Sequence, residues 1–250
     1  MRLNPFNTNN INVRSSGGGV PGGKAGGIGC GTIVIAAIGY FVFGLDPMQT
    51  AGMVEGVQQG QQQAGPANTD EQEVCTSSEY ALEACNGLQS LNQTWAATFD
   101  AQGYGDQFQQ PTLDLYGGGG VRTGCGNGTS AMGPFYCPAD QTIYIDTSFY
   151  DTLERQLGAG GDFARYYVLA HEYGHHIQTI TGISGQIRSA QQQNPSRANQ
   201  LQVLMELQAD CYAGVWAGKN RNLIEPGDIE EGMNAAAAIG DDRLTGGRVS

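Results

Sequence analysis

Charge is scarce in this sequence. Acidic and basic residues together make up 14% of its 250 positions, and the 12 lysines and arginines are outnumbered by 24 aspartates and glutamates. No basic stripe is present to meet a phosphate backbone, which excludes nucleic acid as the main partner. Histidine is scarcer still, with three in the chain, His171, His175 and His176. The six cysteines include no C-x-x-C pair, which argues against a structural zinc knuckle. Acid is absent from the first 45 residues, where Arg2, Arg14 and Lys24 are the only charges before Asp46.

Behind those basic residues the chain turns apolar. Ala25 to Leu45 is a charge-free run of 21 residues, which as a helix spans about 31 Å, the thickness of one hydrocarbon core. It ends in Gly44-Leu45-Asp46-Pro47 rather than a small-residue cleavage site, so it is expected to be a retained anchor. The positive charge in front of it predicts a cytoplasmic N-terminus and an external body. The expected organisation is a basic glycine-rich cytoplasmic leader over 1–24, a transmembrane helix over 25–45, a Gln/Gly-rich linker over 46–72 and one domain over 73–250. In an oxidising compartment Cys75 with Cys85 and Cys125 with Cys137 are close enough in sequence to pair, and a Cys125–Cys137 disulfide is expected; Cys211 is left over.

Within the domain, Leu88, Leu91, Trp95 and Phe99 recur at helical spacing and read as core. Thr112–Tyr116 and Thr142–Asp146 alternate as strands do, around a Gly117–Gly120 turn and the Cys125–Cys137 loop. Helices are predicted from about Phe163 to Thr179 with Asp162 as N-cap, from Asn194-Pro195 to about Gly218, and from Asp228, where Asp228-Ile-Glu-Glu231 has capping-box form. The sum is an α+β domain with a small sheet.

All three histidines fall in His171-Glu-Tyr-Gly-His-His176. Four residues apart on a helix, His171 and His175 project from one face and can share a tetrahedral ion, while Glu172 can reach a water bound to it; this is the H-E-x-x-H arrangement of zinc hydrolases. No further histidine exists, so a third ligand is a carboxylate or Cys211. Glu206 and Asp210, i and i+4 on a later helix, can supply that ligand and a hydrogen-bond acceptor for the far nitrogen of a ligating histidine. Leu204, Leu207, Ala209, Val215 and Trp216 are expected to bury this pair.

The motifs His171–His176, Glu206-Leu-Gln-Ala-Asp-Cys-Tyr-Ala-Gly-Val-Trp216 and Gly133-Pro-Phe-Tyr-Cys-Pro-Ala-Asp140, behind a glycine-rich leader, resemble the putative neutral zinc metallopeptidase family of bacterial single-pass membrane proteins. The resemblance covers nearly the whole chain. It implies a zincin-like fold of gluzincin type in the inner membrane, with Zn2+ held by His171, His175 and Glu206, Glu172 as general base and Asp210 behind a histidine ligand. Members of that family usually continue past Ser250 into a short aromatic, cysteine-containing tail.

The reading is a membrane-anchored zinc endopeptidase acting on peptides or unfolded proteins. The strand Thr142–Asp146 is expected to pair with an extended substrate, and Tyr212 or Arg243 to stabilise the oxyanion. The alternative is an anchored binding or scaffold protein whose zinc is structural or silent; Glu172, which only a hydrolase needs, favours catalysis. Gly27 and Gly31 form a G-x-x-x-G in the apolar run, a weak form of the helix-pairing pattern of membrane spans.

Overall fold

The computed structural model describes residues 1–16, 70–117, 119–155 and 158–239. Helix α1 (Glu71–Cys75) and the long α2 (Glu79–Ala101) begin at capping side chains, Asp70 accepting from the Glu73 N–H and Ser78 from the Ala81 N–H. The predicted apolar stripe of α2 is its buried face: Leu88 and Leu91 are inaccessible, and Trp95 and Phe99 extend the core. A Cys75–Cys85 disulfide staples α1 to α2, and Cys125–Cys137 is also bridged, as expected.

The sheet follows the order β1 (Asn12–Arg14), β2 (Thr112–Tyr116), β6 (Thr142–Asp146), β5 (Phe135–Cys137). The first three strands are parallel and β5 runs antiparallel to β6. Strands β3 (Gly120–Thr123) and β4 (Gly126–Thr129) form a separate hairpin. Both predicted strands lie within their expected bounds, but Thr142–Asp146 sits between two neighbours and has no free edge for a substrate. The strand with one partner on that side is β5.

Helices α3 (Ser148–Arg155), α4 (Asp162–Ile180), α5 (Ile183–Gln193), α6 (Ala198–Lys219) and α7 (Asp228–Ile239) complete the described residues, giving an α+β domain with seven helices and a small mixed sheet among them. Two capping expectations change. Gly161, not Asp162, precedes α4, and the carboxylate of Glu231 in α7 accepts the Phe163 N–H, so the supposed capping box of α7 caps its neighbour instead. Asp228 accepts from the Glu225 N–H.

Residues 1–16, expected within a leader separate from the domain, are part of it. Ile11 and Val13 are buried, and β1 continues the sheet in register with β2. Asn86 accepts the Phe6 N–H at 2.9 Å, and Asn92 donates to the Asn10 carbonyl at 2.9 Å. Arg14 Nε lies 2.6 Å from the fully buried carboxylate of Asp114, and the Met1 amine binds Asp162 and Asp228 at 2.9 and 3.1 Å. The expected span over 25–45, the linker up to residue 69 and Cys30 lie outside the described residues, as does Arg243. Among the described residues no helix is long and apolar enough to cross a membrane.

Candidate metal centre

Helix α4 is apolar where it meets the core, with Val168, Leu169, Ala170, Tyr173 and Ile177 all buried. Its remaining face turns toward α6. The two helices approach closely at Gly174: a β-carbon there would stand 2.9 Å from both the α-carbon and the carbonyl oxygen of Ala209. Glycine between the two histidines is what lets the backbones touch, and this contact brings Glu206 over the imidazoles.

His171 Nε2 and His175 Nε2 lie 3.3 and 3.1 Å from the same oxygen, Oε2 of Glu206. Their rings are nearly perpendicular with centroids 4.9 Å apart. The three donor atoms all lie within 4.8 Å of one another. Ligands bound to a tetrahedral zinc at 2.0–2.1 Å are separated by roughly 3.4 Å, so two nitrogens and one carboxylate oxygen at these spacings suit such an ion. Cys211, the other option for a third ligand, is an exposed thiol outside this group.

Each donor has a partner holding it from behind. Asp210 Oδ1 is 2.7 Å from His171 Nδ1 and also accepts the Tyr167 hydroxyl. Gln178 Oε1 is 2.9 Å from His175 Nδ1. Gln202 Nε2 donates to Oε1 of Glu206 at 2.6 Å, leaving Oε2 for the shared point. Sequence reasoning found Asp210 and missed Tyr167, Gln178 and Gln202. Their signal was helical spacing: Tyr167 precedes His171 by four, Gln178 follows His175 by three, and Gln202 precedes Glu206 by four.

Electrostatics mark the place as one that demands positive charge. Burial alone depresses the His171 pKa, yet hydrogen bonds to Asp210 and Glu206 override it and raise it to about 10. His175 is likewise raised against burial by Glu206 and Glu172. Glu206 is held well below the carboxylate range because the two histidines outweigh its own desolvation. Without a cation the site therefore gathers protons on its imidazoles; a divalent ion replaces them with charge of the same sign.

Glu172 is 7% exposed and its pKa is raised, chiefly by burial, against the pull of His171 and His175. The backbone amide of Tyr136 on the edge strand β5 faces the carboxylate and opposes that rise. The third histidine faces elsewhere. Buried His176 bonds through Nε2 to the Gln109 carbonyl at 2.7 Å, and its Nδ1 is 3.1 Å from the Tyr136 hydroxyl. A carbonyl only accepts, so Nε2 carries the proton and the tyrosine donates to Nδ1. Burial lowers the His176 pKa to about 4; this neutral ring ties β5 to α4.

A cleft of about 1090 Å³ opens over these groups, lined among others by Met132, Tyr136, Phe149, Tyr167 and Arg188. Tyr212, one expected oxyanion donor, is not among its lining residues and packs edge-on against Trp95. Of the apolar residues expected to enclose Glu206 and Asp210, Ala209 and Trp216 are buried, whereas Leu204, Leu207 and Val215 are exposed, Leu207 along the cleft itself. A second acidic group, Asp162, Asp228 and Glu231, lies away from the cleft lining, and two of its carboxylates hold the Met1 amine.

An α+β domain with an H-E-x-x-H helix facing a glutamate on a second helix defines a metallopeptidase-type metal site. The chain belongs to the family described as "Putative neutral zinc metallopeptidase", whose model matches residues 3–249. It is 46% identical over 228 residues to the uncharacterized protein YpfJ of Escherichia coli K12, covering 90% of this chain and 74% of that protein. It is 45% identical over 150 residues to the uncharacterized protein Rv2575 of Mycobacterium tuberculosis H37Rv, covering 55% of this chain and 50% of that one. No solved structure matches.

Proposed function

We propose that this protein is a zinc-dependent endopeptidase in which His171, His175 and Glu206 hold the metal and Glu172 is the general base. The observation that carries this reading is the convergence of His171 Nε2, His175 Nε2 and Glu206 Oε2, with a buried carboxylate, Glu172, on the turn between the two histidines. Bound zinc supplies a Lewis acid and lowers the pKa of a coordinated water to near 7.

The chain's own residues then have separate tasks. Glu172 takes a proton from the attacking water on its carboxylate and passes it to the leaving amine. Asp210, backed by Tyr167, fixes the His171 ring. Strand β5 is the edge next to the cleft and suits an extended, unfolded peptide added as a further strand. Attachment to the inner membrane through 25–45 belongs to the same proposal, but not as a single crossing: β1 pairs with β2, so residues 1–16 and the body lie on one side, against the expected cytoplasmic N-terminus with an external body.

The test is Glu172→Gln. Gln is nearly isosteric and leaves the three donors in place but takes up no proton, so the variant keeps about one zinc and loses at least ~10²-fold in cleavage of an unfolded protein. A chelator abolishes wild-type cleavage. Wild-type protein that holds zinc but cleaves no faster than Glu172→Gln would overturn the peptidase reading in favour of an anchored scaffold with structural zinc.

A further inference from the structure

One buried side chain near the centre has no part in the steps above. Gln178 is fully inaccessible, lies one turn beyond His175 on α4 and reaches across to α6. Its Nε2 donates to the Met205 carbonyl at 2.7 Å and to Gln208 Oε1 at 3.0 Å, and its Oε1 lies 2.9 Å from His175 Nδ1. The orientation of this amide is determined chemically. The Met205 carbonyl can only accept, so the NH2 group must face α6 and the oxygen must face the histidine. An amide oxygen in turn accepts only, so His175 carries a proton on Nδ1, and Nε2, the nitrogen that faces Glu206, is the one left to bind a metal.

We propose that Gln178 is the positioning residue that closes the metal centre: it fixes the ring orientation and tautomer of His175 and, through the same amide, pins α6 at Met205, the residue before Glu206. His171 has a carboxylate behind it, anchored on α6 by its own backbone; His175 depends on a side chain that has to span the gap between helices. One group thus sets both the aim of the second histidine and the distance to the carboxylate ligand, seen as the 3.1 Å between His175 Nε2 and Glu206 Oε2. Burial makes the arrangement exacting, because an unmet amide or imidazole N–H there carries the full desolvation penalty.

The inference rests on the reading of the site as a zinc centre, and its test separates the two. Zinc affinity of the full chain is measured by competition with a chromophoric chelator, and geometry by the visible spectrum after loading with Co2+. Gln178→Met fills the space without hydrogen bonds; Gln178→Asn keeps the amide but is one methylene too short to reach both partners. Both are expected to lower zinc affinity about 10–100-fold, the usual effect of losing a ligand's supporting partner, and to shift the Co2+ bands. Gln208→Ala, which leaves the Met205 carbonyl as acceptor, stays within a few-fold of wild type. If Gln178→Met does not fold, Gln178→Asn decides. Folded variants with lowered urea midpoints but wild-type zinc affinity and Co2+ spectrum would show a merely structural glutamine and overturn the proposal. A wild type that binds neither metal would overturn the zinc reading itself.

Discussion

Replacing Gly174 by alanine sets two effects of opposite sign against each other. In an unobstructed helix interior the change favours folding by about 0.5–1 kcal/mol, because glycine loses more backbone entropy. At position 174 the new methyl group meets Ala209 Cα and O at 2.9 Å, and both are backbone atoms that no rotamer change can move. Ordinary carbon contacts lie at 3.5–4.0 Å, so α6 has to retreat by roughly 0.5–1 Å along its contact with α4. Overpacking of this kind costs about 1–3 kcal/mol and outweighs the helix gain. The larger consequence falls on the metal, since Glu206 is three residues from Ala209 and metal–ligand distances tolerate only about 0.2 Å. Gly174→Ala is therefore expected to lose net stability in the chelated protein and, further, to bind zinc at least ~10-fold more weakly. Gly214→Ala, on the same α6 with nothing within 4 Å of the added carbon, serves as control and is expected to be neutral or slightly stabilising. Urea unfolding with chelator and with saturating zinc, together with the competition assay, reads both quantities. A Gly174→Ala variant as stable as the control and with wild-type zinc affinity would refute the argument that this glycine sets the helix separation.

His176 gives a pH dependence whose sign is set by its lowered pKa. Its folded value of about 4 lies below the unfolded value of 6.5, so its neutral form contributes stability above pH 6.5 that is lost as pH falls toward 4, up to about 3 kcal/mol. The difference in unfolding free energy between wild type and His176→Gln, both with chelator so that the metal ligands titrate alike, should shrink over that window; a constant difference would contradict the neutral tether between β5 and α4. The packing of residues 1–16 predicts that Asn9→Cys and Ser189→Cys, two exposed positions, react alike with a membrane-impermeant thiol reagent in intact spheroplasts. Opposite reactivity would mean that β1 is not paired with β2 in cells.

The ligand constellation was legible because it rests on one local period. Four residues on a helix is a turn, whatever the rest of the chain does, and both His171 with His175 and Glu206 with Asp210 obey it. The groups behind each ligand were harder to read, because they depend on which helix lies opposite: nothing in the spacing of Gln178 says that its amide finds the Met205 carbonyl. The strand Thr142–Asp146 shows a different loss. Its residues alternate between apolar and polar, yet all five are buried, since the polar ones are satisfied inside. Tyr144 donates to Asp140, and Asp146 accepts from Ser148. Period two reports chemistry of the faces, not exposure, when buried hydrogen-bond partners are available.

The leader is the clearest case. Counted along the chain, Arg2 and Arg14 are basic residues ahead of an apolar run, and a charge rule for membrane orientation uses them as free charges. In the fold Arg2 pairs with Glu225, and Arg14 with an Asp114 carboxylate that has no exposure at all. An unpaired charge at Asp114 would be costly to bury, so the strand that carries Arg14 is bound to the domain by the electrostatics that seemed to set it apart. Charge bias along a sequence orients a segment only while the charges remain unpartnered. Here the partners lie 100 and 223 positions further on, beyond the reach of any window over the first 45 residues.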